Sequence, residues 1–205
     1  MDKVKTRILR EPWDVDRRLA ELGLTREGLL NVVTVALVEA ANATPYHCAN
    51  AAGTFSYQHG TWALRQEFVE GEWTLDRCDG VEAIWNGNQK VRVIFSNVDI
   101  ACNDEQPPKP RSRKGAGAER ACMGNLFGDL PRYAPRPSGE DATYYLMVDE
   151  TGAAELTRPV VRGGTFSAYI ERLYLASGDV FSGRILSLGD DESGLGDFDP
   201  QIARK

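Results

Sequence analysis

A tight turn at residues 86–88, which read Asn-Gly-Asn, constrains the fold of this chain more than any other feature of its sequence. Asn and Gly tolerate the positive φ angles of a short hairpin turn, and short apolar runs flank the turn on both sides. After the turn, Val91, Val93 and Phe95 alternate with Lys90, Arg92 and Ile94, of which the first two are charged. Residues 81–95 therefore predict a β-hairpin with one buried face and one mostly exposed face.

A second hairpin is predicted in the C-terminal half of the chain. Residues 144–148 and 154–161 are strand-like, and the Asp-Glu-Thr-Gly sequence at residues 149–152 between them is typical of a turn. Because proline has no backbone N–H to donate, Pro159 predicts that the later strand lies at a sheet edge. The two hairpins together indicate an antiparallel sheet of about four or five strands.

Apolar spacing predicts four helices, at residues 14–22, 25–41, 61–69 and 166–174. Asp14 and Thr25 are suited to cap the first two helices. The second helix is apolar around most of its circumference, and its valines leave a strand interpretation open for part of it. The fourth has the most regular amphipathic stripe, which consists of Phe166, Tyr169, Ile170, Leu173 and Tyr174.

The predicted organisation is a single α+β domain over residues 1–188, with the helices packed on one face of the antiparallel sheet. At 205 residues the chain is long enough to bury such a core. Residues 42–60 contain both histidines and are rich in small and polar side chains, which predicts a long ordered loop. Residues 189–205 are acidic and glycine-rich, which predicts a mobile tail.

The amino-acid composition excludes some classes of function. A net charge of -6 and an isoelectric point near 5.1 argue against a protein that coats nucleic acid over its whole surface, so any nucleic-acid contact must be local. The sequence has neither an apolar run of the roughly 20 residues that a membrane span needs nor a secretory signal, which predicts a cytoplasmic protein without membrane contact. The cysteines lie far apart and form no Cys-x-x-Cys pair, so we interpret them as reduced packing thiols rather than zinc ligands.

The strongest functional signal is a basic segment at residues 107–120. Its first twelve residues read Pro-Pro-Lys-Pro-Arg-Ser-Arg-Lys-Gly-Ala-Gly-Ala, with four cations and no anion. Prolines stiffen the backbone, glycines permit close approach, and the start of a helix predicted at residues 116–126 offers free amides, a combination suited to phosphate or carboxylate. The order of glycine and lysine does not match a Walker loop. The predicted binding residues are Lys109, Arg111, Arg113, Lys114 and Arg120.

Carboxylates around the first hairpin support an alternative. Asp79, Glu82 and Asp99 bracket its strands, and carboxylates in such positions can share a magnesium or manganese ion that activates water for phosphodiester cleavage. Lys90 lies at the turn, which is the wrong end of the hairpin to assist them. These three acids are the candidate catalytic residues of a metal-dependent enzyme acting on nucleic acid or nucleotide phosphates, whereas the leading hypothesis requires no cofactor.

Two weaker signals favour structural roles. His47 and Cys48 are neighbours in sequence, and neighbouring side chains point to opposite sides of an extended chain, which disfavours a nucleophile-and-base pair. Trp62, Trp73 and Trp85 could stack on nucleic-acid bases, but they are distant in sequence from the basic segment. We therefore expect them to anchor the core and its loops.

Several short motifs have a counterpart in other proteins. They are Asp-Gly-Val-Glu-Ala-Ile at 79–84, Phe-Ser-Asn-Val-Asp at 95–99, Pro-Arg-Ser-Arg-Lys-Gly at 110–115 and Glu-Leu-Thr-Arg-Pro-Val at 155–160. Through them the chain resembles, over residues 62–175, a group of uncharacterised bacterial proteins carried on plasmids and genomic islands. Residues 97–102 depart from that group, since they read Asn-Val-Asp-Ile-Ala-Cys where the group has Asn-Thr-Asp-Asp-Gly-Thr.

The resemblance implies a mobile-element context, in which defence and counter-defence factors are common, and it implies no particular activity. Together with the basic segment it predicts a non-enzymatic protein that binds an acidic protein surface or nucleic-acid phosphate. The metal-dependent enzyme is the alternative, and the sequence leaves the oligomeric state open.

Overall fold

The computed structural model describes residues 6–78, 80–122 and 141–178, and the structural statements below refer to these residues. They contain seven strands and four helices. The strands are β1 (Arg7–Leu9), β2 (Trp73–Cys78), β3 (Val81–Asn86), β4 (Val91–Asn97), β5 (Ala142–Val148), β6 (Ala154–Arg162) and β7 (Thr165–Ala176). The helices are α1 (Pro12–Glu21), α2 (Arg26–Ala41), α3 (Ala51–Phe68) and α4 (Ala116–Ala121).

The seven strands form one mixed sheet in the order β1-β7-β6-β5-β4-β3-β2. Two antiparallel units, β2-β3-β4 and β5-β6-β7, meet where β4 and β5 run parallel, and β1 pairs parallel with β7. The predicted antiparallel sheet of four or five strands is therefore wrong. A hairpin turn can be predicted from a few neighbouring residues. A parallel strand pair requires a long crossover connection, and no turn motif predicts it.

Both predicted strand pairings occur within this larger sheet. Strand β3 pairs antiparallel with β4, and β5 pairs antiparallel with β6. The expectation that β6 is an edge strand is wrong, because β7 covers its other side. Pro159 lies at a register shift of the β6–β7 pairing, and at such a bulge the missing N–H is tolerated.

Helices α1, α2 and α3 pack on one face of the sheet and form the larger core. The predicted helices at 14–22 and 25–41 are confirmed, although α1 begins at Pro12 rather than after a cap at Asp14. Proline is favoured at the first position of a helix because its missing N–H would be unpaired there anyway. Thr25 caps α2 as predicted, since its hydroxyl accepts the Gly28 N–H at 3.2 Å.

Helix α3 replaces most of the loop predicted at residues 42–60 and continues through the helix predicted at 61–69. The loop prediction is wrong from Ala51 onward because the small residues that suggested it form the buried face of a helix. Gly60 lies so close to the aromatic ring of Phe95 that a Cβ at this position would be 2.5 Å from the ring. Small side chains here permit close packing of α3 on β4.

The helix predicted at residues 166–174 is strand β7, and a β-bulge explains the error. Ala168 is opposite Val160 while Phe166 is opposite the next residue, Val161, so β7 has one extra residue between them. The extra residue brings Phe166 to the same face as Tyr169, three positions away. A bulged strand thereby acquires the apolar spacing of a helix.

Among the described residues, the opposite face of the sheet carries a smaller core and fewer helices. Helix α4 packs there, so the helices flank both faces rather than one as predicted. The buried residues of this second core include Ile94, Tyr145, Met147 and Phe166 from the strands, and Ala118 and Cys122 from α4 and its end. The acidic tail predicted at 189–205 and the end of the helix predicted at 116–126 lie outside the described residues.

Candidate functional site

The basic segment is held against the sheet by its backbone. Where β4 ends, Val98 forms a bridge with Pro110, the Arg111 N–H donates to Asn97 O at 3.2 Å, and the Asp99 N–H donates to Lys109 O at 3.0 Å. Residues 109–111 thus run antiparallel beside residues 97–99. The segment is attached like a short additional strand, which fixes the direction in which its side chains point.

Two of the predicted binding residues are exposed on this attached stretch. Lys109 is exposed, and the Arg111 guanidinium donates to Val98 O at 3.1 Å and pairs with Glu150 at 2.5 Å. The side chains of Arg111 and Glu150 are 44% and 70% exposed, so water screens this ion pair and it contributes little to stability. Both cations are therefore accessible to a partner.

Arg113 is exposed and packs against Gly164 in the turn between β6 and β7. A Cβ at Gly164 would lie 2.5 Å from the Arg113 side chain, and Gly164 has a φ of +80°, which also favours glycine. The Lys114 N–H donates to Gly164 O at 2.8 Å, and Glu119 accepts the Gly164 N–H at 3.0 Å. Contacts with the β6–β7 turn thus hold this part of the segment, while Arg120 is exposed on α4.

Lys114 is oriented differently from the other cations, because its side chain points inward. Its Nζ donates to Ser96 Oγ at 2.7 Å and lies 5.5 Å from the ring centroids of both Tyr145 and Phe166. No carboxylate of the described chain forms an ion pair with it. Burial lowers the pKa of the Lys114 ammonium group to about 8.

A cavity of about 200 Å³, which we call the Lys114 cavity, opens beside this side chain. Tyr145 lines it, and the Tyr145 hydroxyl is buried without a hydrogen-bond partner. The Cys122 thiol lies beside that hydroxyl, and burial raises the thiol pKa to about 12, so it stays protonated. The lining residues used below are Tyr57, Glu82, Arg113, Lys114 and Tyr145.

The two described carboxylates of the metal hypothesis, Glu82 and Asp99, bind different partners. Glu82 accepts a short hydrogen bond from Arg65 and a second bond from Arg77 at 3.2 Å, and the bond from Arg65 is the main cause that lowers the Glu82 pKa. Asp99 instead accepts the backbone N–H groups of Ile100 and Lys109, at 2.8 and 2.7 Å, and so shapes its own loop.

Asp79, the third carboxylate of that hypothesis, lies outside the described residues. Within the described ranges, no group of three or more His, Cys, Asp or Glu residues is arranged to hold a metal ion. The geometry therefore gives Glu82 the role of an arginine partner and Asp99 the role of a loop cap.

The weaker sequence signals occupy structural positions. His47 accepts the Thr44 N–H at 2.9 Å through Nδ1 and contacts Phe55 edge-on, so its ring holds the loop before α3. Trp73 is buried, and its indole N–H donates to Gly23 O at 2.9 Å. Trp62 is 55% exposed on α3, so the expectation that it anchors the core is wrong.

A second cavity of about 340 Å³ lies between α2, α3 and the carboxyl ends of β4 and β5. Its lining is mostly apolar, and its polar groups bind one another. Ser56 donates to the Asn97 side chain at 2.8 Å, and the Asn97 amide donates to Gly53 O at 2.8 Å. Because these groups already have partners, we assign no ligand to this cavity.

Sequence reasoning found the cations of the site but missed the groups around Lys114. Ser96 and Tyr145 are brought together by the parallel pairing of β4 and β5, in which Ile94 is opposite Tyr145 and Ser96 is opposite Met147. No local sequence motif predicts that pairing. Alternation along each strand could have placed Ile94 and Ser96 on one face, but not Tyr145 beside them.

Comparison of the chain with protein-family models, with curated proteins and with solved structures found no match. Among the described residues, no helix combines the length and the apolar character that crossing a bilayer requires. The site is therefore interpreted from its own geometry.

Proposed function

We propose that this chain is a non-enzymatic binding protein, which holds an acidic partner through the basic segment. The observation that carries the proposal is the way the segment is attached. Backbone hydrogen bonds to residues 97–99 and to Gly164 hold it in place, while Lys109, Arg111 and Arg113 project as exposed cations. Cations on a fixed backbone lose less conformational entropy on binding than cations on a free loop.

The partner in this proposal is an acidic protein surface or the phosphates of a nucleic acid. A local cationic surface on a chain of net charge -6 favours binding at one place and repels acidic molecules elsewhere. The resemblance to proteins of plasmids and genomic islands supports a role as a cytoplasmic defence or counter-defence factor of a bacterial mobile element. The metal-dependent alternative gains no specific support, since Glu82 and Asp99 already have other partners.

The test is a pull-down from a bacterial lysate with the wild-type chain and with the triple variant Lys109→Ala/Arg111→Ala/Arg113→Ala, which removes the three exposed cations and keeps Lys114. Both protein and nucleic acid recovered with each bait are identified. We expect one partner to be retained by the wild-type chain and lost by the triple variant.

A matched control removes three cations outside the basic segment, in the variant Arg10→Ala/Arg17→Ala/Lys90→Gly. Glycine is chosen at position 90 because Lys90 has a φ of +54°. The control should retain the partner. A partner that the segment variant retains as well as the wild type does would contradict the proposal.

A further inference from the structure

Lys114 is a largely buried cation, and no acid among the described residues balances its charge in an ion pair. One of its three N–H donors is used by Ser96, at 2.7 Å, which leaves two donors for other acceptors. The faces of Tyr145 and Phe166 attract the ammonium group but provide no hydrogen-bond acceptor of ordinary strength. Because a buried charge is costly unless it is paired, this position favours the arrival of an anion.

The Tyr145 hydroxyl is a second, independent indication of a ligand. Tyr145 is only 1% exposed, it lines the Lys114 cavity, and its hydroxyl has no hydrogen-bond partner of ordinary strength, since only the weakly hydrogen-bonding thiol of Cys122 lies beside it. Burial raises the pKa of this phenol, so the hydroxyl keeps its proton and can donate it to an acceptor. A buried polar group without a partner is unusual in a folded protein, and a bound acceptor would satisfy it.

The charges around the cavity are mainly positive. Arg113 and Lys114 line it together with Glu82, the one acid among the lining residues that the structure describes. Glu82 is bound by Arg65 and Arg77, which outweigh its negative charge. A cavity with this balance of charges attracts an anion rather than a cation.

From the unpaired ammonium group, the unpartnered hydroxyl and the surplus of positive charge, we infer that the Lys114 cavity binds one oxyanion, either a carboxylate or a phosphate group. Lys114 Nζ and Tyr145 Oη would donate hydrogen bonds to its oxygens. The volume of about 200 Å³ far exceeds the roughly 15 Å³ that one water molecule needs, so the cavity can hold such a group with some of its water.

This inference goes beyond the proposed function, because the site concerns an inward-facing cavity and a small ligand. The exposed cations Lys109 and Arg111 have no part in it. It can therefore be tested on the purified chain with free anions, and failure of either proposal leaves the other standing.

The experiment is a titration with inorganic phosphate and, separately, with acetate, at constant ionic strength and near neutral pH, followed by backbone amide chemical shifts. In the wild-type chain we expect saturable shifts around Ser96, Lys114 and Tyr145 with at least one of the two anions. Preference for phosphate would identify a phosphate group as the natural ligand, and preference for acetate a carboxylate. Absence of saturable binding for both anions would overturn the inference.

Two variants assign the site to its donors. Lys114→Met keeps the length and the apolar contacts of the side chain but removes the charge, and should weaken binding by about tenfold or more. Tyr145→Phe removes the hydroxyl, and should weaken binding by about threefold or more. Tyr145→Phe also serves as an independent test if Lys114→Met does not fold.

The matched control is Arg111→Met, which removes a cation of the basic segment that does not line the cavity. Its affinity for the free anion should stay within about twofold of the wild-type value. An equal loss of anion affinity in Arg111→Met and Lys114→Met would show that the whole basic segment attracts the anion, and would overturn the assignment of the cavity as the site. Unchanged affinity in both Lys114→Met and Tyr145→Phe would overturn it as well.

Discussion

Lys114 and Arg111 are three positions apart in the sequence, but they differ in burial and therefore in how their charges interact. Arg111 is 44% exposed and pairs with the exposed Glu150, so water screens its charge. Lys114 Nζ lies beside two aromatic rings that contact each other, 5.5 Å from both ring centroids, and burial lowers its pKa to about 8. The first side chain is suited to long-range attraction of a partner, and the second to holding a single bound group.

The lowered pKa of Lys114 predicts a pH-dependent difference in stability between the wild-type chain and Lys114→Met. Unfolded lysine binds its proton up to about pH 10.4, whereas folded Lys114 loses it near pH 8, so the unfolded state binds more protons between these values. Wild-type stability should therefore rise relative to Lys114→Met as the pH increases through this window.

Below pH 8 the variant should be the more stable protein, by at most about 3 kcal/mol, from which the lost hydrogen bond to Ser96 subtracts. Urea unfolding of both proteins at pH 7 and at pH 9.5 measures the two differences. A difference that does not change with pH would show that Lys114 titrates normally in the folded chain.

The ion pair of Glu155 and Arg172 predicts a large effect of a single substitution. Their side chains are 0% and 3% exposed, and two hydrogen bonds of 2.9 and 2.6 Å join them. Glu155→Ala would leave Arg172 buried without its counter-charge and would free the Cys102 N–H, so the free energy of unfolding should fall by about 3–5 kcal/mol.

The matched control is Glu150→Ala, which removes the carboxylate of the exposed pair with Arg111. It should lower the free energy of unfolding by less than about 1 kcal/mol. Chemical denaturation of the two variants beside the wild type measures both effects. Similar losses for the two variants would contradict the conclusion that the Glu155–Arg172 pair is buried and the Arg111–Glu150 pair exposed.

Helices α1 and α2 and the strand pairs of both hairpins could be predicted because their signals are local. Caps, turn residues and apolar alternation each depend on neighbours in the chain. Helix α3 and strand β7 could not, because their patterns depend on distant parts of the fold. A small residue is needed at Gly60 because the Phe95 ring packs against it. The three-residue spacing of Phe166 and Tyr169 results from the β-bulge in the pairing of β7 with β6. The Lys114 cavity was missed for the same reason, since Ser96 and Tyr145 meet through a parallel pairing.

The close contact of Gly60 with Phe95 predicts that α3 tolerates alanine at one glycine and not at another. In Gly60→Ala the new Cβ would be 2.5 Å from the fully buried Phe95 ring, which should destabilise the chain by about 1–3 kcal/mol. In Gly53→Ala the nearest atom, in the Asn97 side chain, is 4.0 Å away, so alanine should be neutral or stabilise by up to about 1 kcal/mol.

Thermal unfolding of the two glycine variants measures this contrast within one helix. The melting temperature should fall for Gly60→Ala and stay constant or rise for Gly53→Ala. Equal changes in both would show that helix propensity, rather than packing of α3 on β4, controls the effect.

The two faces of the sheet differ in the elements that cover them. Three helices and the larger core cover one face, whereas α4 and the basic segment cover the other. The segment lies on this second face, where backbone hydrogen bonds fix it and the sheet places Ser96 and Tyr145 beside Lys114. On a chain of net charge -6, the cations of this face provide the local attraction on which the proposed function depends.

The most direct test of this account is the dissociation constant for the partner recovered in the pull-down, measured for three purified proteins at one salt concentration. They are the wild type, the segment variant Lys109→Ala/Arg111→Ala/Arg113→Ala and the control Arg10→Ala/Arg17→Ala/Lys90→Gly. We expect the segment variant to bind about tenfold more weakly or worse, which corresponds to about 1.4 kcal/mol, and the control to bind within about twofold of the wild type. Equal affinities for the wild type and the folded segment variant would contradict the assignment of the basic segment as the binding site.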